Sequence, residues 1–218
     1  MGEIIALTSG KGGVGKTVIT ANLGRALAKL KKKVILVDMD IGLRNLDIVL
    51  GVEHQIVYDI TDVLEERAEL SQALITCKKF NNVSFLPASQ TKRHKDISAE
   101  KLKELLEKLR AEYDYVLIDS PTGVGRGFGH AVFAADSVIV VTQPDSCSLR
   151  DADKVLTELE RFGKNKAKLL INRKNAKFLK SEKVDAKKMV NTLAIELLGV
   201  IAENKLASGI NEIAKKII

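Results

Sequence analysis

The sequence has few cysteines and no long apolar run, and both absences exclude classes of protein. Its two cysteines, Cys77 and Cys147, lie far apart and form no C-x-x-C pair. This excludes a disulfide framework, argues against a zinc or iron–sulfur site, and indicates a reducing, cytoplasmic setting. No apolar run approaches the roughly 20 residues that a membrane-spanning helix needs. Because the first apolar run begins at Ile4, we also expect no signal peptide.

The chain also lacks internal repeats, low-complexity segments and a recognisable linker. Its 218 residues suit one large α/β domain, so we predict that residues 1–218 form a single domain. The net charge of +7 permits attraction to nucleic acid or to an anionic membrane surface. It is equally consistent with a lysine-rich solvated exterior, because the charges are spread along the chain.

Short apolar runs alternate with amphipathic stretches along the chain. Strands are predicted at residues 4–7, 34–37, 83–86, 115–118, 138–142, 168–171 and 198–201. Helices are predicted at residues 18–30, 60–67, 99–113, 149–162 and 182–195, and a long loop at 174–185. The alternation predicts an α/β fold with a doubly wound, mainly parallel sheet and helices on both faces.

Residues 9–17 read Ser-Gly-Lys-Gly-Gly-Val-Gly-Lys-Thr and join the first strand to the first helix. Gly10, Gly15, Lys16 and Thr17 fit the G-x-x-x-x-G-K-[ST] pattern of a phosphate loop in the context that this motif requires. Backbone N–H groups of the loop and of the helix start would face a phosphate chain. Lys16 would reach the terminal phosphates, and the Thr17 hydroxyl would hold Mg²⁺. We therefore predict a P-loop NTPase that binds a nucleoside triphosphate.

Two acidic sites follow predicted strands, at Asp38-Met39-Asp40 and at Asp119. Ligands of open α/β sheets bind beyond the carboxyl ends of the strands, so both sites should face the phosphate loop. Asp119 is predicted to support Mg²⁺, and Asp40 to orient an attacking water. The alternative for either residue is a helix cap or a turn former.

A second lysine, Lys11, lies inside the glycine loop, where the turn does not need it. With it, the loop resembles the deviant phosphate loop of the MinD/ParA family of ATPases. Further stretches resemble the MinD branch of that family: residues 40–47, 57–59, 72–75, 86–91, 119–123 and 149–153. The I-G-L-R-N-L-D and L-P-A-S-Q-T stretches separate this branch from ParA-like proteins.

The resemblance implies an ATP-dependent homodimer that hydrolyses ATP to ADP and phosphate. Lys11 of one subunit would reach the phosphates held by the other, Asp40 and Asn45 would position water, and Asp38 would join Asp119 at Mg²⁺. Asn172, with Arg173 beside it, would bind the adenine. The predicted ATP-binding set is Gly10, Lys11, Gly12, Gly13, Val14, Gly15, Lys16, Thr17, Val18, Asn172 and Arg173, and the predicted partner-binding set is Arg150, Asp151 and Asp153.

The same resemblance implies control of division-site placement. It implies a division inhibitor and a hydrolysis-stimulating protein as partners. It also implies peripheral attachment to the inner face of the cell membrane through a C-terminal amphipathic helix. Here Ile210, Ile213, Ala214, Ile217 and Ile218 share one helical face. That face fits a membrane anchor, but we favour a helix that packs on the sheet. The family normally has such a packing helix followed by a separate membrane-binding tip, and a truncated chain or a shortened family member would explain why only one helix is predicted here.

Other departures affect the site. Val18 replaces the usual hydroxyl residue, which predicts one lost α-phosphate contact and weaker nucleotide binding. Residues 125–130 differ from the family pattern after the second acidic site, and we expect His130 there to be a lone structural or exposed histidine.

Two other functions remain open. One is a DNA-binding partition ATPase of the ParA kind, based on a basic stretch of Arg161, Lys164, Lys166, Lys168, Arg173, Lys174, Lys177 and Lys180. No DNA-reading motif accompanies that stretch. The other is a nucleotide-gated scaffold, including a regulator of flagellar number or placement, which Val18 and residues 125–130 suggest.

Overall fold

Eight strands form one sheet in a computed structural model that describes residues 2–173 and 184–218. The strands are β1 (Glu3–Thr8), β2 (Val34–Asp38), β3 (Ile75–Cys77), β4 (Val83–Leu86), β5 (Tyr115–Asp119), β6 (Ser137–Thr142), β7 (Ala167–Ile171) and β8 (Glu196–Val200). Their order across the sheet is β3-β4-β2-β5-β1-β6-β7-β8. All neighbours are parallel except β3 and β4, which confirms the predicted doubly wound, mainly parallel sheet.

Helices cover both faces of the sheet. They are α1 (Lys16–Lys29), α2 (Leu46–Leu50), α3 (Ile60–Leu64), α4 (Leu70–Ala73), α5 (Ala99–Glu112), α6 (Arg126–Phe133), α7 (Ser146–Arg161), α8 (Ala186–Leu193) and α9 (Leu206–Ile217). Helices α1, α2 and α9 pack on one face, and α3, α5, α6, α7 and α8 on the other. The helix of α5 follows from its sequence, because its four leucines at helical spacing are all buried.

Several predicted bounds were wrong. The sequence pattern missed β3, α2, α4 and α6. It started β8 two residues too late and ended it one residue too late, and it extended α3 to residue 67. The predicted helix 182–195 begins at Ala186 among the described residues. The predicted loop 174–185 lies mostly outside them.

Helix α9 packs on the sheet. Ile210, Ile213 and Ala214 are buried in the core with α1, whereas Ile218 is exposed. This agrees with the packing helix that we favoured. Within the described residues, no helix is both long enough and apolar enough to span a membrane.

Candidate active site

The phosphate loop lies between the end of β1 and the start of α1. Gly13 and Gly15 have φ angles of +77° and +92°, a conformation that residues with a Cβ rarely adopt. Gly10 packs so closely on α7 that an added Cβ would lie 2.3 Å from the backbone oxygen of Asp151. Around Gly12 and Gly13, by contrast, an added Cβ would meet no atom within 4 Å. The loop therefore packs on α7 through Gly10 and is open around Gly12 and Gly13.

Helix α1 begins without a side-chain cap, since its N-cap residue is Gly15. The first turn of a helix has free N–H groups and a partial positive charge. No acidic residue occupies this turn of α1. Together with the open loop, this forms an anion site of the kind that binds phosphate.

Lys16 and Asp119 form a buried ion pair at the carboxyl end of β5. The Lys16 Nζ atom lies 2.7 Å from Asp119 Oδ1, and the two side chains are only 5% and 1% exposed. The Thr20 hydroxyl donates to the same carboxylate oxygen over 3.2 Å. The structure thus holds the phosphate-loop lysine against the acid predicted to support Mg²⁺.

Asp38 lies directly beside Asp119, because the two residues are partners in the β2–β5 register. Its carboxylate accepts hydrogen bonds from the backbone N–H groups of Asp40 and Leu46. Burial, and after it the charge of Asp119, raise the pKa of Asp38 to about 7. Two adjacent carboxylates of this kind suit a divalent cation, whose positive charge would relieve their repulsion.

Asp40 and Asn45 meet in the loop that follows β2. The Asn45 side-chain amide donates to Asp40 Oδ2 over 3.4 Å. Burial raises the pKa of Asp40, and the positive charge of Lys16 opposes that rise. The Gly42 N–H donates to the Ser89 carbonyl and ties this loop to the end of the neighbouring strand β4. The predicted water-positioning pair therefore lies within electrostatic reach of Lys16.

The far side of the loop is braced by the ends of β6 and β7. The Asn172 side-chain amide donates to the Val14 carbonyl over 2.8 Å, and its oxygen accepts from the Arg173 N–H. Gln143 donates to the Gly13 carbonyl over 3.4 Å. The adenine contact of Asn172 and Arg173 stays a prediction, since both polar atoms of the Asn172 side chain are engaged within the chain here.

Gln143 and Asp145 were not predicted from the sequence. Asp145 caps α7, and its carboxylate lies 3.9 Å from Lys11 Nζ. Lys11 itself is 44% exposed. Both missed residues follow β6, so the rule that ligand sites lie beyond the carboxyl ends of strands could have identified them.

The three predicted partner-binding residues lie on α7 but in different surroundings. Arg150 and Asp153 are exposed. Asp151 is half-buried, and its backbone lies against Gly10 of the phosphate loop. The helix therefore joins a free surface to the back of the loop.

Val18 and Thr17 lie in the first turn of α1, where the phosphate-binding N–H groups are found. Val18 is 38% exposed and brings no hydroxyl to the loop. The weaker nucleotide binding predicted from this substitution stays a prediction.

His130 is half-buried in α6, in keeping with the structural histidine expected from sequence, but it has a histidine neighbour that the sequence did not indicate. Its ring lies 6.2 Å from that of His94, measured between centroids. The Nδ1 atoms of both rings are buried and lack a hydrogen-bond partner among the described residues. Burial lowers the pKa of both histidines. The pair joins α6 to the 3₁₀ turn at His94–Asp96.

Within the described residues, no group of three or more His, Cys, Asp or Glu side chains is placed to hold a metal. Asp38, Asp119 and the Thr17 hydroxyl offer few ligands. This fits Mg²⁺, which commonly takes one or two carboxylates and completes its octahedron with phosphate oxygens and water. It does not suit a cation that needs an all-protein cage.

Comparison with known proteins gives a consistent result. A family model described as an AAA domain matches residues 2–172. The septum site-determining protein MinD of Bacillus subtilis is 45% identical over 207 residues, covering 94% of this chain and 77% of that protein. MinD of Thermotoga maritima is 46% identical over 208 residues, with the same shares of coverage.

Solved structures are similar over nearly the whole chain. MinD in the MinC:MinD complex of Aquifex aeolicus has a TM-score of 0.89 and 39% identity, covering 99% of this chain and 95% of that one. MinD of Pyrococcus horikoshii, solved with Mg-ADP, has a TM-score of 0.89 and 30% identity, covering 100% of this chain and 96% of that one. A plasmid partition protein from Borrelia burgdorferi, at 22% identity and a TM-score of 0.79, shares the fold.

Proposed function

Since the chain belongs to the MinD family of septum site-determining P-loop ATPases, we propose that it is an Mg²⁺-dependent ATPase that controls placement of the division site. ATP is its substrate and Mg²⁺ its cofactor, in keeping with the Mg-ADP of the Pyrococcus horikoshii relative. The observation that carries the proposal is the convergence of Lys16, Asp38, Asp40 and Asp119 on one phosphate loop. We further propose that residues 1–218 act as a single domain, because one sheet carries all these residues.

Nucleotide binding would use the open side of the phosphate loop, around Gly12 and Gly13. The N–H groups of the loop and of the first turn of α1 would face the phosphates. Lys16 would exchange its ion pair with Asp119 for a phosphate oxygen. Asp38, Asp119 and Thr17 would hold Mg²⁺, which when bound neutralises phosphate charge.

Hydrolysis would depend on Asp40. Its carboxylate, oriented by the Asn45 amide, would accept a hydrogen bond from a water and direct its oxygen at the γ-phosphorus. The water oxygen would bond to the γ-phosphorus as the bond to the bridging oxygen breaks, so that ADP leaves with the bonding electrons and the water proton passes to the released phosphate or to solvent. Lys16 would stabilise the charge that develops on the phosphoryl oxygens.

We propose that the active form is an ATP-bound homodimer. Lys11 supports this, since it is 44% exposed and its contact with Asp145 in the same chain is long, at 3.9 Å. It is therefore free to reach the phosphates of a second subunit. A Min-type partner fits the MinC:MinD complex of the Aquifex aeolicus relative. We place its binding on the exposed residues Arg150 and Asp153 of α7, and assign the same surface to a protein that stimulates hydrolysis.

The fold does not favour peripheral attachment to a membrane through α9. An interfacial helix needs a free apolar face. In α9 the central residues of that face are buried against α1. Attachment through α9 would therefore require the helix to leave the sheet.

The ParA-like alternative receives no support from the basic stretch. Arg161 pairs with Glu158 at 2.6 Å, and Lys168 pairs with Glu196 at 2.9 Å. Lys164 donates to two backbone carbonyls of the chain. Lys174, Lys177 and Lys180 lie outside the described residues. Three of the five described cations of the stretch thus have partners within the chain.

The proposal is tested by Asp40→Ala, with Glu104→Ala on the exposed face of α5 as the matched control. Asp40→Ala should bind ATP with Mg²⁺ about as tightly as the parent chain, because its carboxylate is assigned to water and not to phosphate. Its turnover should fall by about 100-fold or more, the usual contribution of a positioned base. Phosphate release and ATP binding are measured separately. Turnover equal to that of Glu104→Ala would remove Asp40 from the mechanism.

A further inference from the structure

An apolar groove lies between α6 and α7, close to the start of α5. Its volume is about 380 Å³, and its lining includes Val124, Gly129, His130, Phe133, Glu158 and Phe162. We call this surface the α6–α7 groove. It lies toward the carboxyl end of α7, whereas Arg150 and Asp153 lie near the amino end of that helix.

Exposed apolar side chains are concentrated in this groove. Val124, Phe133 and Phe162 are 41%, 43% and 42% exposed, and they account for three of the nine large hydrophobic residues exposed in the described chain. Scattered single residues of this kind need no explanation, but a cluster marks a binding surface.

The groove is preformed. Phe162 stacks edge-on against the buried Phe128, with 6.1 Å between the ring centroids, and this contact fixes its orientation. Gly129 keeps the groove open, because a Cβ at that position would lie 3.0 Å from Phe162 Cζ. An occupant would therefore not need to order these side chains first.

Two cations, Arg126 and Lys103, lie at the groove, while the exposed carboxylate of Glu100 acts on His130 and accepts a hydrogen bond from Ser98 Oγ. Arg126 is exposed and forms no ion pair among the described residues. The Lys103 Nζ atom lies 5.4 Å from the centre of the Phe133 ring. The one acidic residue in the lining, Glu158, is already paired with Arg161. The rim thus carries two cations, Arg126 and Lys103, that form no ion pair with a carboxylate among the described residues.

We propose that the α6–α7 groove docks an acidic amphipathic segment of a partner protein. One or two bulky apolar side chains of that segment enter between Phe133 and Phe162, and its flanking carboxylates face Arg126 and Lys103. Apolar anchors supply most of the binding energy in such grooves, and complementary charge supplies orientation and selectivity. This site is independent of nucleotide chemistry, so it stands or falls separately from the ATPase proposal.

The test uses a fluorescein-labelled helical peptide with Leu and Phe at i and i+4 and Glu at the flanks. Its counterpart has the same apolar residues with Lys at the flanks. Fluorescence anisotropy should show the acidic peptide binding at least ~10-fold more tightly, with an affinity that falls as salt is raised. Arg126→Glu should reverse the preference. Equal binding of both peptides, or of neither, would overturn the proposal.

Two further variants separate docking from misfolding. Phe133→Ala removes an anchor contact, and Gly129→Leu fills the groove from within. Each should weaken the acidic peptide ~10-fold or more, whereas Ile48→Ala, at a 65% exposed position on the opposite face of the sheet, should not. Urea unfolding checks that Phe133→Ala is folded. Self-association of the parent chain that Gly129→Leu abolishes would assign the groove to a second copy and overturn the partner assignment.

Discussion

The Lys16–Asp119 ion pair shows how single residues are prepared for function. A buried pair loses much of its attraction to desolvation and is weak evidence for stability. Its value here is positional, because it holds the lysine amino group at the edge of the loop, 2.7 Å from the acid. On the neighbouring strand, burial and the adjacent carboxylate of Asp119 raise the pKa of Asp38.

Asp38 provides a prediction at this scale. Its folded pKa of about 7 lies above its ordinary value of 3.8, so the folded chain favours the protonated acid. The contribution of Asp38 to the free energy of unfolding is therefore fully present below pH ~4 and is lost as the pH rises to 7. Asp38→Asn stays neutral at every pH. The free energy of unfolding of this variant, relative to that of the parent chain, should therefore increase by about 2–3 kcal/mol between pH 5 and pH 8.

The measurement is urea unfolding of both proteins at the two pH values, in EDTA and without nucleotide. Asp153→Asn, at an exposed position, is the control and should show no such gain. A pH-independent difference between Asp38→Asn and the parent chain would show that Asp38 is ionised in the folded state throughout.

At the scale of single elements, α6 is the most informative case. Gly127 and Gly129 lower its helix propensity and hid it from the sequence pattern. Tertiary packing overrides that preference, because Phe128, Ala131 and Val132 are buried in the core. Gly127 has a further use, since an added Cβ there would lie 2.4 Å from the His94 ring.

The His94–His130 pair gives the prediction for this element. The folded pKa of each histidine lies below its ordinary value of 6.5, so the stability that the neutral rings contribute is present above that pH and is lost as the pH falls. His130→Met should therefore lose less stability than the parent chain between pH 7.5 and pH 5. Besides burial, the charge of Arg126 lowers the pKa of His130 and that of His130 lowers the pKa of His94, whereas Glu100 raises the pKa of His130.

Thermal unfolding at the two pH values checks this. His54→Met makes the same substitution at a side chain that is 94% exposed and should follow the parent chain. If His130→Met also follows it, the histidine pair is not the source of acid sensitivity.

At the scale of the whole molecule, the order of the strands builds the site. Strands β2, β5, β1 and β6 are neighbours, so their carboxyl ends bring Asp38, Asp119, the phosphate loop and Gln143 to one edge of the sheet. The same fold closes α9 over α1, which uses the apolar face that a membrane anchor would need.

The packing of α9 predicts that this chain does not sediment with anionic liposomes in Mg²⁺ and either ATP or ADP. Co-sedimentation checks this directly. ATP-dependent pelleting that Ile218→Glu abolishes would show that the end of α9 acts as an anchor and would contradict the prediction.

The phosphate loop, the long strands and α5 were predictable because their signals are local: a glycine pattern, continuous apolar runs and leucines at helical spacing. The short β3 was not, since its three residues are ordered by pairing with β4. The predicted helix bounds were wrong where a helix ends without a strong local signal, as α3 does at Leu64.

The sequence by itself determined that this protein binds the phosphates of a nucleotide and that its strands alternate with helices. Each of those features depends on residues that lie close together in the sequence. Only the tertiary structure decided which distant residues meet. Lys16 and Asp119 are 103 residues apart, and Asn172 braces Val14 across 158 residues. His94 and His130 could not be paired from spacing either. Such contacts depend on strand order and helix packing, which arise from the burial of the whole core.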